Sequence, residues 1–244
     1  AQTDIIIAGN MVLTTNQGIL DASNVTVKVG GTWTLNVGTS FISTGSTLIL
    51  NGNTAQSVNN LCTSPTYNNI SCIGSGTKSF SNNAFTVNGN FDITGAAVTW
   101  SNAICTLNGN WLNTGGTGVL NPGGSTLLLN AGAQNIGAGP FYNMTVGGTA
   151  STTKTLTDNI VLNNTLTINA NITLDVSASN YSISLGGNWI NNGLFTCRAG
   201  TVTMTGGNTT VTSGTSTGFN TGQNFYNLTI NKTTSANYAL FGAG

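Results

Sequence analysis

The segment Phe85–Phe91 reads FTVNGNF, and the segment Cys105–Trp111, twenty residues later, reads CTLNGNW. In both segments apolar and polar residues alternate, and a corner containing Asn-Gly-Asn follows before the next aromatic residue. Alternation places the apolar side chains on one face of a β-strand, and Gly and Asn tolerate the positive φ that a sharp corner needs. The pattern predicts short strands joined by tight corners, in coils of about 19 to 20 residues.

A longer period contains the short one. Three tryptophans stand 78 residues apart, and a Tyr-Asn motif follows each of them; these landmarks are Trp33, Trp111 and Trp189, and Tyr67, Tyr142 and Tyr226. Four coils of about 20 residues fill such an interval, so we expect approximate super-repeats over residues 1–80, 81–158 and 159–244. Equal spacing predicts that the three tryptophans occupy equivalent places on their coils.

These periods predict an all-β protein, a β-solenoid (β-helix) that forms a single elongated repeat domain over residues 1–244. The alternative is a tandem of β-sandwiches with a repeat near 80 residues, and the 20-residue sub-period favours the solenoid. In a solenoid we expect Asn side chains to form hydrogen-bonded ladders between coils. Thr, Ser and Lys are expected on the outer face, opposite the apolar residues.

The composition excludes several classes of protein. Only 4% of residues are charged, and five Lys or Arg balance five acidic residues. This balance provides no basic surface for nucleic acid or for anionic lipid. The longest apolar run is Ile5–Ala8, which is far too short for a membrane-spanning segment. We therefore expect neither a nucleic-acid partner nor membrane insertion.

The sequence also lacks the groups that most enzymes use. It has no His and no Glu, and no two of its five Asp lie close together in sequence. General acid–base chemistry needs titratable groups that face each other, and zinc sites need Cys clusters or His. We expect no catalytic residues, no metal site and no cofactor, and therefore a protein that is not an enzyme.

Two of the four cysteines bracket a short loop. Cys62 and Cys72 flank the segment that contains Tyr67, and the other two Tyr-Asn motifs have no cysteines at this place. This spacing predicts a local Cys62–Cys72 disulfide, which would indicate an oxidising compartment. Cys105 and Cys197 lie in strand-like segments, and we expect both to be buried free thiols.

Three segments resemble the repeats of large secreted surface proteins of Bacteroidota and other bacteria. They are Gly187–Phe195 (GNWINNGLF), Gly200–Gly207 (GTVTMTGG) and Phe225–Ile230 (FYNLTI). The resemblance implies an adhesin-like or filament-forming β-solenoid, secreted and exposed at the cell surface. Its motifs are structural landmarks, so it implies no catalytic residue and no particular ligand.

Together these observations predict a non-enzymatic, secreted structural protein, a subunit or module of an extracellular filament or cell-surface adhesin. The chain starts without Met, which fits a mature secreted protein whose signal peptide has been removed. One alternative is a solenoid that binds surface glycans or ice through rows of Thr, although the Thr-x-Thr pattern is irregular between coils. A carbohydrate-active β-helix enzyme is the least favoured alternative.

Both ends of the sequence are apolar and have few charges. The candidate self-assembly residues are Ile5, Ile6, Ile7, Met11, Val12, Leu13, Leu240 and Phe241. A terminal coil without a polar cap exposes backbone groups that recruit another strand. We therefore expect head-to-tail association with other copies, with residues 1–13 as an inter-subunit strand. The alternative is that further repeats continue the solenoid in a longer polypeptide.

Overall fold

A computed structural model describes residues 4–15, 18–113, 118–149, 151–213 and 224–243. It divides the chain into two compact units, Ala1–Ser125 (unit 1) and Thr126–Gly244 (unit 2). The described residues form strands and no helices. The predicted single elongated domain over residues 1–244 stays a prediction.

The described residues of unit 1 form seventeen short strands. In chain order they are β1 Ile5–Ile7, β2 Met11–Leu13, β3 Ile19–Asp21, β4 Thr26–Val29, β5 Trp33–Leu35, β6 Ser40–Ile42, β7 Thr47–Leu50, β8 Gln56–Asn60, β9 Thr66–Tyr67, β10 Asn69–Cys72, β11 Lys78–Phe80, β12 Phe85–Val87, β13 Phe91–Asp92, β14 Ala97–Trp100, β15 Ile104–Leu107, β16 Trp111–Leu112 and β17 Val119–Asn121.

These strands follow one another around three sides of a coil. The first side stacks β1, β4, β7, β10, β13 and β16, and the second stacks β2, β5, β8, β11, β14 and β17. The third side carries two ladders, β3–β6 and β9–β12–β15. Every pair is parallel; for example, Ile5 lies opposite Val27 and Phe85 opposite Cys105. Parallel stacking of consecutive coils is a β-solenoid and excludes the sandwich alternative, whose sheets are antiparallel.

Fourteen strands lie in the part of unit 2 that the structure describes. They are β18 Thr126–Leu129, β19 Gln134–Ile136, β20 Asn143–Val146, β21 Thr152–Leu156, β22 Ile160–Leu162, β23 Leu166–Ile168, β24 Ile172–Asp175, β25 Ile183–Leu185, β26 Trp189–Asn191, β27 Leu194–Thr196, β28 Thr201–Met204, β29 Thr209–Ser213, β30 Asn227–Ile230 and β31 Ala239–Ala243.

The strands of unit 2 form three parallel ladders. One stacks β19, β21, β24 and β27, a second stacks β22, β25, β28 and β30, and a third stacks β18, β20, β23, β26, β29 and β31. An isolated parallel bridge joins Phe141 to Leu162 at the start of the second ladder. Unit 2 is therefore a β-solenoid of the same kind as unit 1.

The core follows from the alternation that the sequence shows. In β4, β7, β10 and β28, alternate residues are buried, and the buried ones are apolar. Consecutive coils stack these residues on one another, as Val27 on Leu48 and then Ile70. In unit 1 the rings of Phe91, Trp100 and Trp111 have centroids 5.3–5.5 Å apart. Alternation therefore predicted the inward residues correctly.

Asn and Gly occupy the corners for the reasons that the sequence suggested. Asn24, Asn171 and Asn180 have φ of 58–61°, which Asn accepts more easily than most residues. The predicted ladder is present in unit 1, where the Asn108 Nδ2 group donates to Asn88 Oδ1 over 2.9 Å. Beside it, the backbone N–H of Asn110 donates to the side chain of the Asn one coil before it. These contacts satisfy corner groups that the strand ladders leave open.

The coils are longer than the sequence suggested. The chain makes about ten turns, and equivalent strands lie roughly 22 residues apart. The interval of twenty residues from Phe85 to Cys105 is among the shortest. From Trp33 to Val58 it grows to 25 residues, because the corners between these strands carry extra residues.

The longer coil overturns the predicted equivalence of the tryptophans. Trp33 lies in β5, on the second side of unit 1, whereas Trp111 lies in β16, on the first side. The two are eleven strands apart, and eleven is not a multiple of the three strands in a coil. In unit 2 the Tyr-Asn motifs also separate, since Asn143 begins β20 and Asn227 begins β30, in different ladders. The 78-residue repeat is therefore present in the sequence, but its equivalent motifs lie on different sides of the solenoid.

The close stacking of corners can be tested at Gly109. A Cβ at this position would overlap the carbonyl group of Gly89 in the preceding coil, whereas a Cβ at Gly9 meets no atom within 4 Å. We expect Gly109→Ala to lower the free energy of unfolding by about 1–3 kcal/mol, and Gly9→Ala to change it by less than about 0.5 kcal/mol. Urea denaturation followed by circular dichroism measures both. Equal effects of the two substitutions would contradict close corner stacking.

Candidate functional site

The last coil of unit 2 leaves its core-facing side chains partly exposed to solvent. Leu228, Ile230 and Phe241 are 37%, 48% and 43% exposed. Their partners one coil earlier are nearly inaccessible; Val202 pairs with Leu228, and Met204 with Ile230. Among the described strands, β30 pairs only with β28, and β31 pairs only with β29. The last coil therefore presents an apolar surface bordered by two open strand edges.

The first coil of unit 1 has a similar open edge. Strands β1, β2 and β3 each pair with one described strand, namely β4, β5 and β6. Of the predicted self-assembly residues in this coil, Ile6 and Val12 are exposed, Met11 is buried, and the remaining three, Ile5, Ile7 and Leu13, are half-buried. In this structure residues 5–13 belong to the chain's own first coil. Their outer edge is the surface on which another strand could pair.

The third side of unit 1 carries a polar surface without charges. Outward-facing Thr and Asn residues form two parallel rows across three coils; the rows are Thr66, Thr86 and Thr106, and Asn68, Asn88 and Asn108. The pattern on each strand is Thr-x-Asn, not the Thr-x-Thr that an ice-binding surface repeats. We call these six residues the Thr–Asn face.

A cavity of about 360 Å³ lies at one end of the Thr–Asn face. It forms because the third side is interrupted between β6 and β9, where the Ser43 hydroxyl donates to the Thr66 carbonyl over 2.9 Å. Its lining combines Phe41 and Ile42 with the hydroxyl and amide groups of Ser43, Thr66 and Asn88. An apolar floor with a few polar groups is typical of small-ligand sites.

The aromatic landmarks are structural. Trp33, Trp111 and Trp189 are all buried. The Trp33 indole N–H donates to the hydroxyl of the buried Tyr67 over 3.0 Å. Tyr142 is half-buried, and only Tyr226 among the three landmark tyrosines is exposed. The tryptophans therefore cannot offer their rings to a sugar.

Two lysines are buried, and for them the prediction that Lys lies on the outer face is wrong. The Lys78 side chain is fully buried, and its Nζ donates to the carbonyls of Gly52 and Gly76 over 2.6 Å each. Lys154 is equally buried, and its Nζ donates to the carbonyls of Ala131 and Gly132. The alternation within the strand indicates that Lys78 is buried, because Lys78 shares a face with the buried Phe80 two residues later.

Lys154 satisfies two corner carbonyls of the preceding coil, whereas Lys78 satisfies one in the preceding coil (Gly52) and one in its own coil (Gly76). A buried Gln pairs with each of them one coil earlier, Gln56 with Lys78 and Gln134 with Lys154. Burial lowers the pKa of both amines, and that of Lys154 falls to about 8, because a desolvated ammonium group is less stable than a neutral amine. The two sites explain why a nearly uncharged protein keeps charged residues in its interior.

The predicted Cys62–Cys72 disulfide is not formed, since all four cysteines are free thiols. The two residues lie at different corners of the solenoid; Cys62 follows β8, while Cys72 ends β10 and pairs with Leu50. Burial raises the pKa of the Cys72 thiol, which makes it unreactive. Cys105 is buried as expected, but Cys197 is half-exposed. The disulfide argument for an oxidising compartment therefore falls away.

The carboxylates that could act in catalysis have structural contacts. Asp175 receives a bidentate contact from Arg198 at 2.6 and 2.7 Å, which lowers its pKa. Asp92 accepts the backbone N–H of Thr94 over 2.8 Å. In the part of the chain that the structure describes, no three Cys, His, Asp or Glu residues lie together as a metal site would require.

Comparison with known proteins finds no relative: no protein family, no curated protein and no solved structure matches the chain. Within the described ranges there is also no helix of the length and hydropathy needed to cross a membrane.

The buried amine of Lys154 predicts a dependence of stability on pH. Its pKa is about 8 in the folded protein and 10.5 ordinarily. Above pH 8 the unfolded chain therefore binds more protons at this group, and its contribution to stability rises with pH until about 10.5. We expect the unfolding free energy of the wild type to gain about 1–3 kcal/mol relative to Lys154→Met between pH 8 and 10.5.

Urea titrations of both proteins at matched pH values measure this difference, and the comparison cancels the ionisation of Cys and Tyr in the unfolded chain. Lys28→Met is the control, since the Lys28 amine is partly exposed and bonds to Asp4 over 2.8 Å. A constant difference between the wild type and Lys154→Met across this range would show that the amine is not desolvated.

Proposed function

We propose that this protein is a non-enzymatic structural protein that assembles head to tail into an extracellular filament or a cell-surface adhesin. The observation that carries the proposal is the apolar surface of the last coil, formed by Leu228, Ile230 and Phe241. Within a solenoid, each coil buries such residues against the next coil. In this proposal a second copy supplies that next coil.

The open strand edges support the same proposal. Parallel strands with unpaired edges add further strands through backbone hydrogen bonds. The first coil of one copy and the last coil of another are different surfaces, so their contact is heterologous and generates an open filament. The chain has zero formal net charge and 4% charged residues, so copies that stack on one another meet little electrostatic repulsion.

The extracellular part of the proposal depends on composition and on the resemblance to secreted repeats of Bacteroidota. Segments such as Phe225–Ile230 (FYNLTI) carry that resemblance. The surface rich in Thr, Asn, Gly and Ser suits such a location. Signal-peptide cleavage and surface labelling of the source cells test this part separately from assembly.

Assembly is tested by placing charge on the uncovered surface of the last coil. We expect the double variant Leu228→Asp, Ile230→Asp to weaken association at least about tenfold, because an unpaired carboxylate buried at the contact costs several kcal/mol. Ile104→Asp is the matched control, since Ile104 is also an exposed apolar strand residue but lies in a coil of unit 1 that is not the first or last of the solenoid.

Sedimentation velocity and electron microscopy of the purified proteins give the result, with circular dichroism to check folding. Filaments in the wild type and in Ile104→Asp, and shorter or no filaments in the double variant, support the proposal. A wild type that stays monomeric at high concentration, or a double variant with unchanged filaments, overturns it.

A second candidate function is the binding of neutral glycans at the Thr–Asn face. The supporting observation is the cavity lined by Phe41, Ser43 and Thr66, where hydroxyl and amide groups can bond to sugar hydroxyls. We expect Thr66→Val combined with Asn88→Ala to lower affinity for a bound oligosaccharide at least about tenfold, as two hydrogen bonds are lost.

Calorimetry against neutral oligosaccharides selected on a glycan array measures this affinity. Asn121→Ala is the control, because Asn121 is an exposed strand residue on the second side of unit 1. Equal affinities of the cavity variant and the control, or no binding to any neutral glycan, would remove this candidate.

A further inference from the structure

One type of junction between coils occurs twice inside the chain. In unit 1, β10 pairs with β13, with Ile70 opposite Phe91. The next strand, β11, pairs with β14, with Lys78 opposite Val98. We call the two strands of the earlier coil the upper strands and the two strands of the next coil the lower strands. The upper strands, β10 and β11, come after the Tyr-Asn motif at Tyr67, and the lower strands, β13 and β14, come after the sequence Gly-Asn.

Unit 2 contains the same junction. Here β20 pairs with β23, with Met144 opposite Leu166 and Val146 opposite Ile168. The next strand, β21, pairs with β24, with Lys154 opposite Leu174. The upper strands again follow a Tyr-Asn motif.

A third version of the upper strands lies in the last coil. β30 reads NLTI where β10 reads NISC and β20 reads NMTV. β31 continues ALF where β11 reads KSF and β21 reads KTL. All three pairs of strands carry apolar residues at the same inward positions; in the last coil these are Leu228 and Ile230 of β30 and Phe241 of β31.

A third version of the lower strands lies in the first coil. Residues 9–13 read GNMVL, where residues 89–93 read GNFDI. β3 and β24 share one local contact: the Asp21 carboxylate accepts the backbone N–H of Ser23 over 2.9 Å, and the Asp175 carboxylate accepts that of Ser177 over 2.8 Å. The chain thus holds three upper parts and three lower parts of this junction, and two of each are paired internally.

We infer that the third upper part and the third lower part pair between copies: β30 and β31 of one molecule bind β2 and β3 of the next, in parallel. The two internal junctions fix the register. Leu228 lies opposite Met11, Ile230 opposite Leu13, and Ala239 opposite Leu20. The inference rests on the proposed head-to-tail assembly and specifies its contact.

A side-chain clamp accompanies the register. In unit 1 the Asn69 Oδ1 atom accepts the backbone N–H of Asn90 over 2.8 Å. In unit 2 the Asn143 Oδ1 atom accepts that of Thr165 over 3.2 Å. The same positions in the third version are Asn227 and Asn10. The contact between copies therefore includes a hydrogen bond from the Asn10 N–H to Asn227 Oδ1.

Crosslinking between two variants tests the register. Thr229 and Val12 are exposed residues that face each other in the inferred contact, at a distance suited to a disulfide. Purified Thr229→Cys is mixed with purified Val12→Cys under mild oxidation, and non-reducing electrophoresis and mass mapping follow. We expect a heterodimer joined through positions 229 and 12 as the main product, at least about fivefold above the wild-type background.

The matched control replaces Val12→Cys with Ile6→Cys, because Ile6 is also an exposed apolar residue of the first coil but lies on another side. Filaments that crosslink equally well through position 6, or only through position 6, overturn the register while leaving assembly intact. An absence of filaments by sedimentation overturns the proposed function itself, so the two failures are distinguishable.

The clamp has its own test. Asn227→Ala should weaken association about five- to tenfold without changing the urea midpoint of the monomer, because the Asn227 side chain is exposed there. Asn231→Ala, at another exposed Asn just after the same strand, should leave association unchanged. Equal association of the two variants would remove the Asn10–Asn227 hydrogen bond from the contact.

Discussion

The structure depends on parallel stacking of coils, which places each residue about 4.8 Å from its equivalent in the next coil. At this spacing like charges repel strongly, whereas apolar, Thr and Asn side chains gain contacts with their own kind. This constraint explains a chain in which only 4% of residues are charged. It also explains why the buried lysines never stack on one another: Lys78 lies between Gln56 and Val98.

Local pattern was enough to predict the fold class and the inward residues. Alternation identified residues such as Phe85, Val87 and Leu107, all of them buried, because a strand can only point alternate side chains into a core. The coil length was not predictable from one pair of similar segments. Corners vary in length, and a difference of two residues per coil moves Trp111 to another side than Trp33. A cysteine spacing likewise says nothing about which corner each cysteine occupies, so Cys62 and Cys72 were paired wrongly.

The polar interior was missed for a related reason. Lys78 and Lys154 occupy inward positions because the corners of the preceding coil direct carbonyl groups toward them. Such carbonyls belong to the backbone and leave no trace in composition. The alternation did contain the information, since both lysines precede a buried apolar residue at the inward spacing of two. The general preference of lysine for solvent outweighed that local signal.

The sequence repeat rotates around the solenoid, and this rotation restricts the register in which copies can assemble. Within unit 1, the interval from Trp33 to Trp111 spans eleven strands, which is one strand short of four coils. A super-repeat of this length therefore turns its motifs by one side of the coil. A contact between copies must pair the backbone groups of the strands on every side of a coil at once. Because corner lengths differ between sides, a slipped register that suits one side leaves unpaired backbone groups on another. The same irregular corners that obscure the coil length in the sequence would thus give an otherwise uniform ladder a single register.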